Sequence, residues 1–229
     1  MLGVIGGMGP LATADFFRKL IDATPATNDD EHIPVLIHSV PQIPSRPAAI
    51  LSGGASPLPA MRAARDRLLA AGATLLAMPC NTAHHWYDEL ITGCDVPFIH
   101  IVDAVAEQLP AGAKALGIVA TRATLRSRVF DERLAARGIA LTAPDEPSYD
   151  RAVQPAIDAV KRGATKEGGR LLEPVIAAAL DRGAVAVVLA CTELPLALDA
   201  IASPLRARCI DSTDALARAC VTHWTRRRR

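Results

Sequence analysis

Short continuous apolar runs alternate with longer amphipathic stretches along this chain. The runs LGVIG (2–6), IPVLIHS (33–39), TLLAM (74–78), PFIHI (97–101), ALGIVA (115–120), GIALT (138–142) and AVAVVLA (184–190) have the length and unbroken apolarity of strands covered on both faces, as in a parallel sheet. Between them, LPAMRAARDRLLAAG (58–72), LRSRVFDERLAARG (125–138) and RLLEPVIAAALDRG (170–183) show helical spacing, and each stops at a glycine suited to a C-terminal cap. A repeated strand–helix order of this kind predicts a doubly wound α/β protein.

The same unit is used twice. RLLAAGATLLAMPCNT and AALDRGAVAVVLACTE align with Gly72 over Gly183 and Cys80 over Cys191, both pairs 111 positions apart. LGVIGGMGPLAT and LGIVATRATLRS align with Leu2 over Leu116, 114 positions apart. Two landmarks at nearly equal offsets predict an internal duplication. The expected fold is therefore two similar, flavodoxin-like lobes with parallel sheets, related by a pseudo-two-fold, with the active site in the cleft between them. The lobes are placed at 1–102 and 103–210, with a C-terminal helix at about 211–226 packing back on the first.

Composition narrows the function. With 229 residues, half of them hydrophobic, the chain has material for two modest cores. Lys plus Arg (25) nearly balances Asp plus Glu (24), which predicts neither a nucleic-acid surface nor a membrane patch. The terminal Arg226–Arg229 run reads as solvated charges at a frayed end. No signal-peptide pattern opens the chain and no apolar run reaches the roughly 18 residues of a membrane span, so a soluble, cytoplasmic protein is expected. Five cysteines without a C-x-x-C pair argue against a disulfide framework or a zinc ribbon and for reduced thiols.

Ligands of open α/β sheets bind at the carboxyl ends of the strands, where Cys80 and Cys191 fall, one in each half. Gly7-Met8-Gly9-Pro10-Leu11-Ala12 fits the dinucleotide pattern G-x-G-x-x-A, but the next strand ends in His38-Ser39 where a ribose site needs a carboxylate. Gly6, Gly7 and Gly9 are read instead as letting the backbone approach a small anion, with Pro10 opening a helix. Cys80 and His84 have i, i+4 spacing, yet without a third nearby ligand they define no metal site. Cys94, Cys209 and Cys220 read as filler.

GGMGPLAT, MPCNTAH and LACTELPL, in this order and at these separations, resemble the aspartate/glutamate racemase family, in particular its aspartate branch. The likeness spans nearly the whole chain. Glutamate racemases carry a Ser-Gly element with an acidic residue in the first loop and His two places after the second cysteine; here Gly-Gly-Met-Gly and Glu193 hold those places. The resemblance implies cofactor-independent, two-base racemisation of a small acidic amino acid. Cys80 and Cys191 would be the acid–base pair, with His84 tuning Cys80. It further implies that Asn81, Thr82, Thr121 and Thr124 bind the α-carboxylate, for all of which helix capping is the competing reading, with Met8, Thr192 and Glu193 lining the site. Arg46 and Lys161, with Gln42 nearby, would hold the distal carboxylate; Arg162 beside Lys161 leaves that position ambiguous. A homodimer is implied as well. The residues alone leave two other readings open: another cysteine-dependent member of the superfamily, such as a broad-specificity or hydantoin racemase, a maleate isomerase or a decarboxylase, and a two-lobed small-molecule sensor.

Overall fold

The computed structural model describes residues 1–228; Arg229, the end of the arginine run, lies outside the described residues. Two compact units emerge, one of Met1–Ala104 with the chain from Thr213 onward, the other of Val105–Ser212.

The first unit carries β1 (Leu2–Gly6), α1 (Pro10–Ala23), β2 (Val35–Ser39), α2 (Arg46–Ser52), α3 (Leu58–Ala70), β3 (Leu75–Ala77) and α4 (Tyr87–Ile91), and α5 (Ile101–Glu107) takes the chain out of it. The second carries β4 (Ala115–Ala120), α6 (Arg122–Ser127), α7 (Val129–Ala135), β5 (Ala140–Thr142), α8 (Glu146–Ser148), α9 (Gln154–Lys161), α10 (Thr165–Asp181), β6 (Val187–Ala190), α11 (Leu194–Ala200) and β7 (Cys209–Asp211). The last helix, α12 (Ser212–Arg228), returns the chain to the first unit.

Both sheets are parallel, ordered β2-β1-β3 and β5-β4-β6-β7. The duplication read from the sequence extends to the pairing. Leu76 bridges Phe98 in the first unit and Val187 pairs with Cys209 in the second, and both residues of the second pair lie 111 positions after those of the first. The glycine ends agree too: Gly72 and Gly183 stand at φ 92° and 93°, the left-handed region that glycine enters without a Cβ clash.

Central strands are buried except for Ala115 at the start of β4, but β2 and β5 are sheet edges and half-exposed, so the expectation of strands covered on both faces fails at those edges. PFIHI forms a single bridge at Phe98 and not a strand. The stretch read as one helix over 125–138 is broken, because Arg128 turns left-handed at φ 56° between α6 and α7. The three-residue β7 has no sequence counterpart among the expected strands.

Gly3 and Gly117, equivalent in the two units, let the central strand close on its cover. A Cβ on Gly3 would lie 2.8 Å from the Cβ of Ala73 and 2.9 Å from Cδ2 of Leu76; on Gly117 it would lie 3.0 Å from the Cβ of Ala179 and 3.1 Å from Cγ2 of Val187. Gly3→Ala and Gly117→Ala should each destabilise by about 1–3 kcal/mol, the cost of overpacking a filled core. Urea midpoints check this, with the larger shift expected for Gly3.

Candidate active site

In each unit the chemistry collects where strands end. Cys80 follows β3 and packs in one buried cluster with Met8 and Ile43, from the loops after β1 and β2. Cys191 directly follows β6 and shares its cluster with Tyr149, from the chain after β5. Both cysteines are thiols, 6% and 5% exposed.

After Cys80 the chain passes through a 3-10 turn (Thr82–Trp86) into the short α4. Asn81 and Thr82 are buried at the start of the turn. Asn81 does not cap it: both its amide N and O are buried with no hydrogen-bond partner among the described residues. A buried amide left so is costly unless something supplies partners. His84 is 2% exposed, and its Nδ1 lies 2.9 Å from the carbonyl of Cys80.

The glycine loop differs from the expected anion cradle. The Gly7 N–H donates to Thr13 Oγ1 (2.9 Å), and that hydroxyl donates to the Gly9 carbonyl (3.0 Å), so this amide is taken by the protein itself. Gly7, at φ 92°, also sits where a Cβ would fall 2.3 Å from the Val40 backbone. Close packing accounts for Gly7 and for Gly6, where a Cβ would fall 2.5 Å from Cγ2 of Thr13, whereas a Cβ on Gly9 would meet nothing within 4 Å.

Of the distal-carboxylate candidates, Arg46 opens α2, and its Nη1 donates to the carbonyls of Ile43 (3.0 Å) and Pro44 (3.1 Å), with Nε buried and unpartnered among the described residues. Gln42 is exposed on the same loop. In the second unit Lys161 is exposed in the last turn of α9, while Arg162 pairs with Glu167 at 3.6 Å. The lysine bears on the Cys191 thiol by its charge.

Cys191 has the most defined surroundings. Its Sγ donates to Glu193 Oε2 at 2.9 Å, and the Thr192 hydroxyl donates to the same oxygen at 3.0 Å. Burial pushes the thiol pKa well above its ordinary value, the Glu193 carboxylate adds to this by charge and hydrogen bond, and the Lys161 ammonium opposes them. Thr121 caps α6, accepting from the Thr124 N–H (3.1 Å), and the two hydroxyls share a 2.9 Å hydrogen bond.

Sequence reasoning missed Tyr149. Its hydroxyl accepts from the Arg122 N–H (2.6 Å) and donates to Gln154 Oε1 (3.1 Å), the Arg122 guanidinium lies 4.4 Å from its ring centre, and Gln154 Nε2 donates to Asp158. Burial raises its pKa, and a Cys191 thiolate would raise it further. The residue lies in a turn of π-helix (Tyr149–Val153), a feature common near functional sites and invisible to periodicity. Among the described residues no three His, Cys, Asp or Glu side chains gather as a metal would require. No helix among them is long and apolar enough to cross a membrane.

Each unit thus carries a buried thiol at an equivalent strand end, that of Cys191 hydrogen-bonded to a carboxylate. The family model of Asp/Glu/hydantoin racemases matches residues 5–220. The chain belongs to this family and is an isomerase of the amino acid racemase type. It is 29% identical over 237 residues to the broad-specificity amino-acid racemase RacX of Bacillus subtilis strain 168, covering 98% of each chain. It resembles the structure of Picrophilus torridus aspartate racemase with a TM-score of 0.85 and 32% identity, over 97% of this chain and 93% of that one. PH1733, an aspartate racemase homologue from Pyrococcus horikoshii OT3, shares the fold at a TM-score of 0.79 and 22% identity, over 98% of both.

Proposed function

We propose that this chain interconverts L- and D-aspartate without a cofactor, one of Cys80 and Cys191 removing the α-proton while the other delivers a proton to the opposite face. The observation that carries the reading is the equivalence of the two thiols, 111 residues apart at the carboxyl ends of equivalent strands. Binding alone needs neither thiol, which counts against a sensor. The unpartnered amide of Asn81 is suited to an α-carboxylate and ammonium, which supply both an acceptor and a donor. The likeness to an aspartate racemase supports the acidic substrate. Reduced thiols fit a cytoplasmic enzyme, and a homodimer is part of the same reading; light scattering showing a monomer at micromolar concentration would remove that part.

A second reading, broad specificity, is favoured by Arg46, whose Nη1 is already engaged by two carbonyls, and by the likeness to RacX. Incubation of purified protein with L-aspartate, L-glutamate and neutral amino acids, without added cofactor, separates them. If Arg46 and Lys161 hold the side-chain carboxylate, Arg46→Gln or Lys161→Gln should lower kcat/KM for aspartate by about tenfold, the lower end for a charge-assisted hydrogen bond. Alanine, which lacks that carboxylate, should change little in Arg46→Gln, and in Lys161→Gln should lose only what the lysine's charge gives the Cys191 thiolate. Equal losses on both substrates would assign the pocket elsewhere.

A further inference from the structure

The chain leaves the first unit along α5, and the first two N–H groups of that helix are taken in an unusual way. Helix starts are normally capped by Ser, Thr, Asp or Asn. Here the Ile101 N–H donates to His84 Nε2 (3.2 Å) and the Val102 N–H donates to His100 Nδ1 (3.1 Å). Both imidazoles are nearly inaccessible, at 2% and 3%, and their rings meet edge to face with centres 4.7 Å apart. Tyr87 closes the group, its ring 4.5 Å from that of His100 and its hydroxyl donating to the carbonyl of Phe98.

These contacts fix the tautomer of His84. Its Nε2 accepts, so a neutral ring carries its proton on Nδ1, which donates to the carbonyl of Cys80 at 2.9 Å. One side chain thus joins the backbone of the thiol-bearing residue to the first turn of the departing helix. At the equivalent point of the second unit, 111 positions on, His100 and Ile101 are replaced by Asp211 and Ser212, ordinary capping types.

We infer that His84 is a positioning residue for Cys80, a tether between the Cys80 carbonyl and the start of α5 through which displacement of that helix reaches the thiol-bearing residue. The inference rests on Cys80 being one of the two acid–base groups, but the tether itself is measurable without activity. A side chain that merely fills the space would do the same work as leucine. A tether needs its two nitrogens.

The test uses His84→Leu, which fills the space without either bond, and His84→Asn, which places a donor near the Cys80 carbonyl but lacks an atom that reaches Ile101. Backbone hydrogen exchange at Ile101 and Val102, and the pH profile of Cys80 alkylation followed by mass spectrometry, read the tether directly. Exchange at Ile101 should quicken at least about fivefold in both variants, as expected for an uncapped helix start. The alkylation profile should move more in His84→Leu than in His84→Asn. Turnover should fall about tenfold with KM nearly unchanged, because positioning and not binding is lost. Wild-type exchange and alkylation in His84→Leu would overturn the tether. Altered exchange with unchanged racemisation would overturn its positioning role if Cys80→Ala is inactive. If Cys80→Ala also racemises, the tether stands and the assignment of Cys80 is what fails.

Discussion

Cys80→Ala and Cys191→Ala should each abolish inversion, with losses of about 10⁴-fold, the upper end for a positioned acid or base. Inversion in either direction needs a base on one face and an acid on the other, so neither variant can complete a turnover. A β-chloro analogue of the substrate separates loss of a base from loss of the fold. Once its α-proton is removed, the electron pair of the broken C–H bond forms the Cα–Cβ double bond and chloride leaves, so no proton is required from the far side. Each variant should therefore still release chloride from one enantiomer, and the two should prefer opposite enantiomers, because each keeps a different thiol. During wild-type inversion in deuterated water the product should carry deuterium at Cα, since the delivered proton comes from a group that exchanges with solvent. Near wild-type racemisation by either variant, or elimination from the same enantiomer by both, would show that the two thiols do not divide the faces.

The placement of both thiols at strand ends is legible in sequence because it depends on short stretches of chain. Cys80 and Cys191 stand beside apolar runs whose alignment needs only 111 positions of self-comparison, and the bridge at Phe98 repeats that offset in the pairing of Val187 with Cys209. What escaped depends on contacts that no local pattern encodes. The edge exposure of β2 and β5 follows from strand order, which apolar content does not determine. The break at Arg128 puts a non-glycine residue in a left-handed conformation, against local preference. Tyr149 reaches the cluster of Cys191 from a point 42 residues earlier in the chain. His84 shows both cases at once: its i, i+4 relation to Cys80 is visible in sequence, whereas its bond to the Cys80 carbonyl and its second bond, to Ile101 across 17 residues, are not.

Glu193 gives the second large effect, and its sign can be worked out in advance. Burial and the Glu193 carboxylate both disfavour the Cys191 thiolate, so the resting side chain is a thiol that donates to Oε2. In the direction where Cys191 serves as the base, turnover should climb with pH toward its raised pKa as the thiolate fraction grows. Glu193→Gln keeps an acceptor oxygen but removes the negative charge. The thiol pKa then falls, and the rising limb of the profile moves to lower pH. The rate on the plateau should nevertheless drop about 100-fold, because a thiolate that is easier to form is a weaker base and a charge-assisted hydrogen bond worth about 1.5–3 kcal/mol is lost. Lys161→Gln should shift the same limb the opposite way, since the ammonium now favours the thiolate, and by less, because that side chain is exposed and screened. Opposite displacements from two neutralising substitutions are hard to obtain from general loosening, which would move both profiles alike. A limb that stays in place in Glu193→Gln, or that shifts in the same direction in both variants, would mean that this carboxylate does not govern the Cys191 proton.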